Sequence, residues 1–217
     1  MIRNLILMCE YRRSGVKPHE PNAEMDNDDS WLQPWLPLMA RHSAGRPILE
    51  LGCGSGRDTA TLLAHGLDVV ALDLSEEAVA EARLRAPSAR IHRQDLQAPF
   101  PPEAEGCSVV LASLSLHYFS WPDTLALARR IHQWLPPGGL LVCRLNSTRD
   151  VHYGAVGHPE IAPRYYLVDG FPKRFFDADD VTLMFAEGWS TLSCKEGVIG
   201  RYEHPKWAWE VVLQRLA

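Results

Sequence analysis

The chain has 217 residues, of which 46% are hydrophobic and 23% charged, and its formal net charge is −5 at pH 7. This length suits one domain with a single large core. No apolar run approaches the ~20 residues of a membrane-spanning helix, and the negative charge gives no electrostatic basis for nucleic-acid binding. The five cysteines are scattered without a C-x-x-C pair, which favours reduced thiols and a cytoplasmic location.

The first 29 residues do not have the pattern of a folded core. The apolar part of the segment from Met1 to Cys9 is shorter than a signal sequence, and no cleavage site of small residues follows it. The next stretch mixes Pro, Asn, Asp and Lys without a period. We therefore predict a poorly ordered leader over residues 1–29, with Met25 as an alternative translational start, and a single folded domain over residues 30–217.

The most informative stretch is residues 47–59, which read P-I-L-E-L-G-C-G-S-G-R-D-T. The apolar start fits a buried strand, the three glycines allow a tight turn, and Asp58 and Thr59 suit a helix N-terminus. This order lets a ligand approach the backbone next to unpaired N–H groups. The nicotinamide fingerprint is G-x-G-x-x-G, whereas the spacing here is G-x-G-x-G, with the acid Glu50 two residues before the first glycine.

The string E-x-G-x-G-x-G closely resembles motif I of the class I S-adenosylmethionine (SAM) methyltransferases. The longer string L-E-L-G-C-G-S-G-R-D-T resembles their small-molecule branch, which includes tellurite- and thiopurine-type enzymes. The resemblance covers roughly residues 30–217. It implies an α/β fold with a Rossmann-like, mostly parallel seven-stranded sheet of order 3-2-1-4-5-7-6, in which strand 7 is antiparallel and helices cover both faces. It also implies SAM as the cofactor, held by Glu50, Gly52, Cys53, Gly54 and Gly56.

Hydrophobic periodicity and turn residues predict the other elements. One predicted helix begins at Ser30, and three others span residues 76–85, 121–135 and 177–187. Predicted strands span residues 68–73, 108–113 and 140–146, with a short strand beginning at Arg90 and an antiparallel pair at 189–199 and 207–215. The string L-P-P-G-G-L-L-V before the fifth strand resembles the same methyltransferase family.

An acid ends the second predicted strand. Asp73 lies 21 residues after Gly52, where a carboxylate can accept hydrogen bonds from two ribose hydroxyls. The alternative, a cap on the following helix, suits Ser75 better. We therefore place Asp73, with its neighbour Leu74, in the cofactor site.

Three more cofactor contacts follow from the resemblance alone. Asp95 corresponds to the acid that accepts from the adenine amino group, and Leu96 lies beside the ring. Ser113 ends the fourth strand, and the resemblance places its backbone near the methionine part of SAM.

His117 and Tyr118 follow the fourth predicted strand, in the region where ligands bind in α/β sheets. The resemblance implies that they form the floor or wall of the acceptor site, and both are candidate catalytic residues. His117 can act as a general base, because an imidazole pKa of ~6.5 makes it available near neutral pH. A buried, hydrogen-bonded histidine that shapes the pocket is the alternative.

Candidate substrate-binding residues come from three places. Trp31, in the first predicted helix, either contacts a ligand or packs on the sheet edge. Arg144 and Asn146 interrupt the apolar end of the fifth strand, where they face the cleft or, for Arg144, form an ion pair. Residues 147–176 exceed the ~2–6-residue connection usual in α/β units and are rich in functional side chains, so we predict a substrate region there. Its candidate acceptor contacts are His152, Tyr165 and Tyr166.

Two other features of this segment bear on its ligands. Asp150, His152 and His158 have no recognised metal-ligand spacing, so no metal site is predicted. Lys173 and Arg174 suit either an anionic acceptor or a solvated basic edge.

The predicted function follows from the cofactor. SAM carries an activated methyl group, so the protein must hold acceptor and methyl in line. We predict methyl transfer to a small-molecule acceptor; oxygen or amine acceptors need a base, whereas a thiolate or soft inorganic anion does not. The chain lacks the N/D-P-P-Y/F motif of DNA amino-methylating enzymes and the paired-glutamate loop of protein-arginine enzymes. The alternative is a non-catalytic SAM-binding regulatory protein of the same fold, and the glycine spacing disfavours a nicotinamide oxidoreductase.

Overall fold

The structure, a computed structural model, describes residues 30–217, and the predicted leader lies outside the described residues. In chain order the ten strands are β1 Ile48–Leu51, β2 Val69–Asp73, β3 Arg90–Arg93, β4 Val109–Ser113, β5 Leu140–Asn146, β6 Glu160–Ala162, β7 Tyr165–Val168, β8 Phe171–Arg174, β9 Trp189–Ile199 and β10 Lys206–Arg215. The five α-helices are α1 Leu36–Ser43, α2 Arg57–Ala64, α3 Glu76–Arg85, α4 Trp121–Trp134 and α5 Ala178–Met184. None of the described helices is long and apolar enough to span a membrane.

Seven strands form the central sheet, in the order β3-β2-β1-β4-β5-β10-β9. The first five run parallel, and β10 is antiparallel to both β5 and β9. The predicted order 3-2-1-4-5-7-6, with the seventh strand antiparallel, is therefore confirmed. Parallel topology brings the carboxyl ends of β1, β2, β4 and β5 to one edge of the sheet, where a ligand site is expected.

The sheet is buried on both faces, because helices cover each side. Alternate residues of the central strands, such as Leu49 and Val110, pack with α4 and α5. Their neighbours Ile48 and Val109 pack with α1, α2 and α3. Because side chains alternate between two apolar cores, β4 and most of β5 are nearly continuous apolar runs, whereas Glu50 interrupts β1.

The first predicted helix is interrupted. Residues Ser30–Leu32 form a short 3₁₀ turn, and α1 begins only at Leu36. Pro34 has no N–H to continue a helix and disfavours helical backbone before it, whereas Pro37 lies in the first turn of α1, where a missing N–H costs nothing. The prediction of a helix beginning at Ser30 is therefore wrong, and Trp31 lies in a separate turn.

Residues 147–176 are not an open loop. They contain a second, three-stranded antiparallel sheet, β6-β7-β8. Phe176 joins this insertion to the main sheet, since its N–H donates to the carbonyl of Asn146 and its own carbonyl accepts from Trp209 Nε1 at 2.9 Å. The helix that follows, α5, is shorter than predicted and begins after Asp177, which forms a capping box with Asp180.

We expect the apolar centre of the sheet to dominate stability. Leu111 on β4 is fully buried, so Leu111→Ala should lower the free energy of unfolding by about 2–5 kcal/mol. Leu84 on α3 is 85% exposed, and Leu84→Ala should change the free energy of unfolding by less than about 0.5 kcal/mol. Urea denaturation followed by tryptophan fluorescence measures both. Equal losses in the two variants would contradict this assignment of the core.

Candidate functional site

The turn between β1 and α2 depends on glycine. Gly52, Gly54 and Gly56 have φ angles of +75°, +53° and +79°, in the left-handed region. A Cβ on Gly52 would lie 2.4 Å from Cβ of Ser115, and one on Gly56 would lie 2.9 Å from Cα of Ala82. Nothing lies within 4 Å of the corresponding position on Gly54. The loop is thus packed against protein at its ends and open in its middle, where a ligand can approach the backbone.

The carboxylate of Asp73 fixes this loop to the end of β2. One oxygen accepts from the Gly54 N–H at 2.8 Å and the other from the Ser75 N–H at 2.9 Å. Ser75 in turn caps α3 through Ala78 N–H, so the cap is formed by Ser75, as expected. Each carboxylate oxygen has two acceptor positions, and the Asp73 side chain therefore keeps capacity for further donors such as hydroxyl groups.

Glu50 is a buried acid directly behind the loop. Its side chain accepts from the Thr59 hydroxyl at 2.6 Å. Burial is the largest effect on Glu50, followed by the negative charge of Asp58, and both raise its pKa. The Thr59 hydrogen bond lowers the pKa, Asp73 raises it slightly, and the result is a pKa of about 8. Burial also raises the pKa of the Cys53 thiol, so this cysteine is a small packed residue and not a reactive thiolate.

Glu50, Asp58 and Asp73 together form an acidic cluster around the glycine loop. Three carboxyl groups in one small region favour a positively charged ligand, because a nearby cation stabilises their ionised forms. In the protein alone, Glu50 remains mostly protonated at pH 7.

The segment after β3 lies beside Asp73. Gln94 N–H donates to the Asp73 carbonyl at 2.8 Å, which brings the following residues next to the end of β2. Asp95 accepts from the Gln97 N–H, Leu96 is buried, and Leu74 is 43% exposed. The structure therefore groups the predicted adenine and ribose residues on one side of the glycine loop.

Trp31 contacts the helix that follows the glycine loop. Its Nε1 donates to the Asp58 carboxylate at 3.2 Å, and the guanidinium of Arg144 lies 4.2 Å from its ring centroid. Arg144 also donates from Nε and Nη2 to the Ser113 hydroxyl at 3.0 and 2.9 Å. Trp31 and Arg144 are both buried. Trp31 thus connects the helix after the glycine loop to the ends of β4 and β5.

Three buried polar atoms near the ends of β4 and β5 have no hydrogen-bond partner in the part of the chain that the structure describes. They are Ser115 Oγ, His117 Nδ1 and Asn146 Oδ1, and their residues are at most 3% exposed. Buried polar groups are normally paired. Ser115 packs beside Gly52, His117 lies in the turn after β4 and Asn146 ends β5, so these polar atoms are available to a ligand at the carboxyl edge of the sheet.

His117 is neutral at physiological pH. Burial lowers its pKa well below the ordinary value, and the positive charges of Lys206 and Lys173 lower it further. Its ring centroid lies 4.2 Å from that of Tyr118, whose own pKa is raised by partial burial, then by Tyr202 and Asp73. A neutral imidazole can make hydrogen bonds, but burial disfavours the imidazolium that a general base becomes.

The insertion packs on the turn that carries His117. Tyr165 Oη donates to the Tyr118 carbonyl at 3.1 Å, so the structure brings Tyr165 to the candidate acceptor site. The other two predicted contacts lie elsewhere within the insertion. Tyr166 packs on Phe175 with ring centroids 6.0 Å apart, and His152 stacks on His204 at 5.1 Å.

The sequence did not lead us to predict the buried ion pair of Lys206 and Asp150. Lys206 Nζ lies 2.8 Å from an Asp150 oxygen, whose other oxygen accepts from the Trp207 N–H at 3.2 Å. The Nζ also lies 5.0 Å from the ring centroid of Tyr153. A signal for Lys206 existed, since it shares a strand face with the buried Ala208, two residues along β10. Within residues 30–217, no group of three His, Cys, Asp or Glu side chains is arranged to hold a metal ion.

Comparison with known proteins agrees with this geometry. Residues 48–139 match a family model described as a methyltransferase domain. Trans-aconitate 2-methyltransferase of Variovorax paradoxus is 33% identical over 129 residues, which are 57% of this chain and 48% of that protein. The enzyme of the same name from Rhizobium meliloti is 32% identical over 107 residues, 48% and 40% of the two chains. The chain thus spans about half the length of the curated relatives it matches.

Solved structures match over a larger share of the chain. An S-adenosylmethionine-dependent methyltransferase from Mesorhizobium loti is 25% identical with a TM-score of 0.67, and the match covers 88% of this chain and 99% of that one. The 1,6-didemethyltoxoflavin-N1-methyltransferase of Burkholderia thailandensis, solved with S-adenosylhomocysteine, is 20% identical with a TM-score of 0.64 over 88% and 80% of the chains, a likeness of fold. The chain is thus similar to methyltransferases over residues 48–139, and its fold is that of solved S-adenosylmethionine-dependent methyltransferases.

Proposed function

We propose that this protein transfers the methyl group of SAM to a small-molecule acceptor. The observation that carries the proposal is the juxtaposition, at one sheet edge, of an acidic cluster on a glycine loop and three buried polar atoms without partners. The acidic cluster suits a cationic cofactor, and the unpartnered atoms suit an acceptor held beside it. Both halves meet where Gly52 packs on Ser115.

The residues present fit SAM. The cofactor has two positive charges, on its sulfonium and ammonium groups, which match Glu50, Asp58 and Asp73, and its ribose diol supplies two donors for the Asp73 carboxylate. The exposed side chain of Leu74 and the Asp95 carboxylate lie on the side where the nucleoside base would bind. When bound, SAM supplies the reactive methyl group.

The chain's own residues bind and orient the reactants, and they exclude water. Trp31 and Arg144 close one side of the loop with buried, hydrogen-bonded side chains, which keeps solvent from this part of the cleft. Ser115, His117 and Asn146 offer buried polar atoms to an acceptor. Holding the acceptor in line with the methyl group is the main catalytic contribution that this arrangement can make.

Two observations bear on the identity of the acceptor. The curated relatives include enzymes named for trans-aconitate, which favours a carboxylate acceptor. The G-R-D string favours acceptors of the tellurite or thiopurine type. The described cysteines 53, 107, 143 and 194 are free thiols, which supports a reducing compartment such as the cytoplasm.

Release of S-adenosylhomocysteine by the purified protein tests the function. The assay uses SAM with trans-aconitate, a thiopurine and tellurite in parallel. Release with one of these supports the proposal and identifies the acceptor type. SAM binding without release from any acceptor supports the regulatory alternative, and absence of SAM binding overturns both.

We expect Asp73→Ala to weaken SAM binding by about 1–3 kcal/mol, because two ribose hydroxyls lose their acceptor. The matched control is Asp68→Ala, immediately before the start of β2, where the acid forms an exposed pair with Arg90. Isothermal titration calorimetry measures both affinities. Thermal unfolding of the Asp73 variant checks that loss of the Gly54 and Ser75 hydrogen bonds leaves the protein folded. An unchanged SAM affinity would remove Asp73 from the site.

Glu50 should make stability depend on pH. Its pKa is raised to about 8 in the folded protein, so between about pH 5 and 8 the folded state holds a proton that the unfolded chain releases. Wild-type stability should therefore fall with rising pH, by up to about 1 kcal/mol per pH unit from this group. Glu50→Gln keeps an acceptor for Thr59 but cannot ionise, and should lack this component.

Urea denaturation at pH 5, 6.5 and 8 measures the difference between wild type and Glu50→Gln. Glu77→Gln, an exposed acid on α3, serves as the control and should follow the wild type. Parallel pH curves for wild type and Glu50→Gln would show that Glu50 is ionised in the folded protein.

His117→Ala should raise KM for the acceptor about 5- to 100-fold and change kcat less. The reason is that a buried neutral imidazole can bind the acceptor and shape its pocket more readily than it can accept a proton. The exposed His65 provides the control variant His65→Ala. Steady-state kinetics with the acceptor that gives turnover separates the two roles. A kcat loss of about 100-fold or more with unchanged KM would instead identify His117 as the general base.

A further inference from the structure

We infer that Arg130, on α4, positions the segment that recognises the purine base of the cofactor. Arg130 is a positioning residue, because it acts through the backbone that follows Asp95. The inference rests on the proposed function, which places the base of SAM beside Asp95. Its consequence is that Arg130 determines how well the site distinguishes adenine from other purines.

The segment is the turn of residues 94–100, which follows β3. At its start, the Gln94 N–H donates to the Asp73 carbonyl at 2.8 Å and joins the turn to the end of β2. Asp95 is half-buried, and its Oδ1 accepts from the Gln97 N–H at 2.8 Å. Its other carboxylate oxygen has no hydrogen bond within residues 30–217. This oxygen is therefore available to a donor on a ligand.

Two carbonyls of this turn are held by α4. Arg130 Nη1 donates to the Gln97 carbonyl at 2.8 Å, and Nη2 donates to the Leu96 carbonyl. Among the described residues, no backbone amide donates to either carbonyl. A planar guanidinium can serve both acceptors at once in a fixed geometry. These carbonyls directly follow Asp95, so their attachment fixes the turn that carries the Asp95 side chain.

The end of the segment is anchored to the same helix. The guanidinium of Arg130 lies 4.4 Å from the ring centroid of Phe100, and Trp134 packs edge-on against that ring with centroids 5.4 Å apart. Arg130 and Trp134 are four residues apart and therefore share a face of α4. Phe100 is buried in the main core. Arg130 thus contacts the turn at two places, and α4 holds it as one unit.

Recognition of the base depends on a carboxylate that cannot move away. The amino group of adenine donates a hydrogen bond, whereas hypoxanthine has a carbonyl oxygen at the same position, which a carboxylate repels. A mobile turn would let Asp95 avoid this repulsion and would raise the entropy cost of the hydrogen bond to adenine. Loss of Arg130 should therefore impair recognition of the base more than recognition of the ribose, which depends on Asp73.

Calorimetric titration with S-adenosylhomocysteine and S-inosylhomocysteine tests the inference. The two compounds differ only in the base, so the ratio of their dissociation constants reports base recognition. We expect the wild type to prefer the adenosyl compound by about 10- to 100-fold, and Arg130→Met to reduce this ratio by at least about fivefold. Arg130→Lys keeps the charge without the planar pair of donors, and should reduce the ratio by at least about twofold.

Two control variants separate base recognition from general damage. Arg129, the preceding residue on α4, is exposed, and Arg129→Met should keep the wild-type ratio. Asp73→Ala should weaken both compounds by a similar factor and leave the ratio unchanged, because their ribose is the same. Thermal unfolding of each variant verifies that it is folded.

Hydrogen exchange gives a second measurement that needs no ligand. The Gln97 amide should exchange at least about threefold faster in Arg130→Met than in Arg129→Met, since the turn is no longer held by α4. Equal exchange rates in these two variants would contradict the positioning role.

The outcomes distinguish this inference from the proposed function. A wild-type ratio in both Arg130→Met and Arg130→Lys overturns the inference, even if both compounds bind more weakly, because that result describes a purely structural residue. Equal affinity of the wild type for the two compounds also overturns it. Failure of the wild type to bind S-adenosylhomocysteine overturns the proposed function, and the inference with it.

Discussion

The site depends on the hydrogen bonds of the Asp73 carboxylate. They join three elements, because the acid ends β2, Gly54 lies in the turn after β1, and Ser75 begins α3. A left-handed turn of glycines has little stability of its own, since glycine loses more conformational freedom on folding than other residues. The carboxylate compensates by binding two amides and retains acceptor positions for a ligand. Loop geometry and ligand recognition therefore rest on the same side chain.

The second organising feature is the separation of charge across the cleft. Glu50 is held behind the glycine loop with a raised pKa, which makes its ionisation responsive to a bound cation. On the far side, burial lowers the pKa of His117, and the positive charges of Lys206 and Lys173 lower it further, so the imidazole is kept neutral. A cationic methyl donor would meet opposite charge at the acidic cluster, and an acceptor would meet the unpartnered polar atoms of Ser115, His117 and Asn146.

Much of the fold could be predicted from the sequence because its signals are local. The apolar run of β5, the helix Glu76–Arg85 with its Ser75 cap and the strand Trp189–Ile199 have the predicted bounds. The carboxyl-edge location of Asp73 followed from strand order. The sheet within residues 147–176 was missed, since its strands are three or four residues long and too short for periodicity to register. Contacts between distant segments, such as Trp31 with Asp58 and Lys206 with Asp150, could not be predicted, because strand alternation can indicate that Lys206 is buried but not which residue pairs with it.

The central claim is that the glycine loop and its acids bind a sulfonium nucleoside in preference to a nicotinamide dinucleotide. Calorimetric titration of the wild-type protein with SAM and, separately, with NADH tests it most directly. We expect saturable binding of SAM at one site per chain and no measurable binding of NADH at the same concentrations. Binding of NADH with no binding of SAM would contradict it.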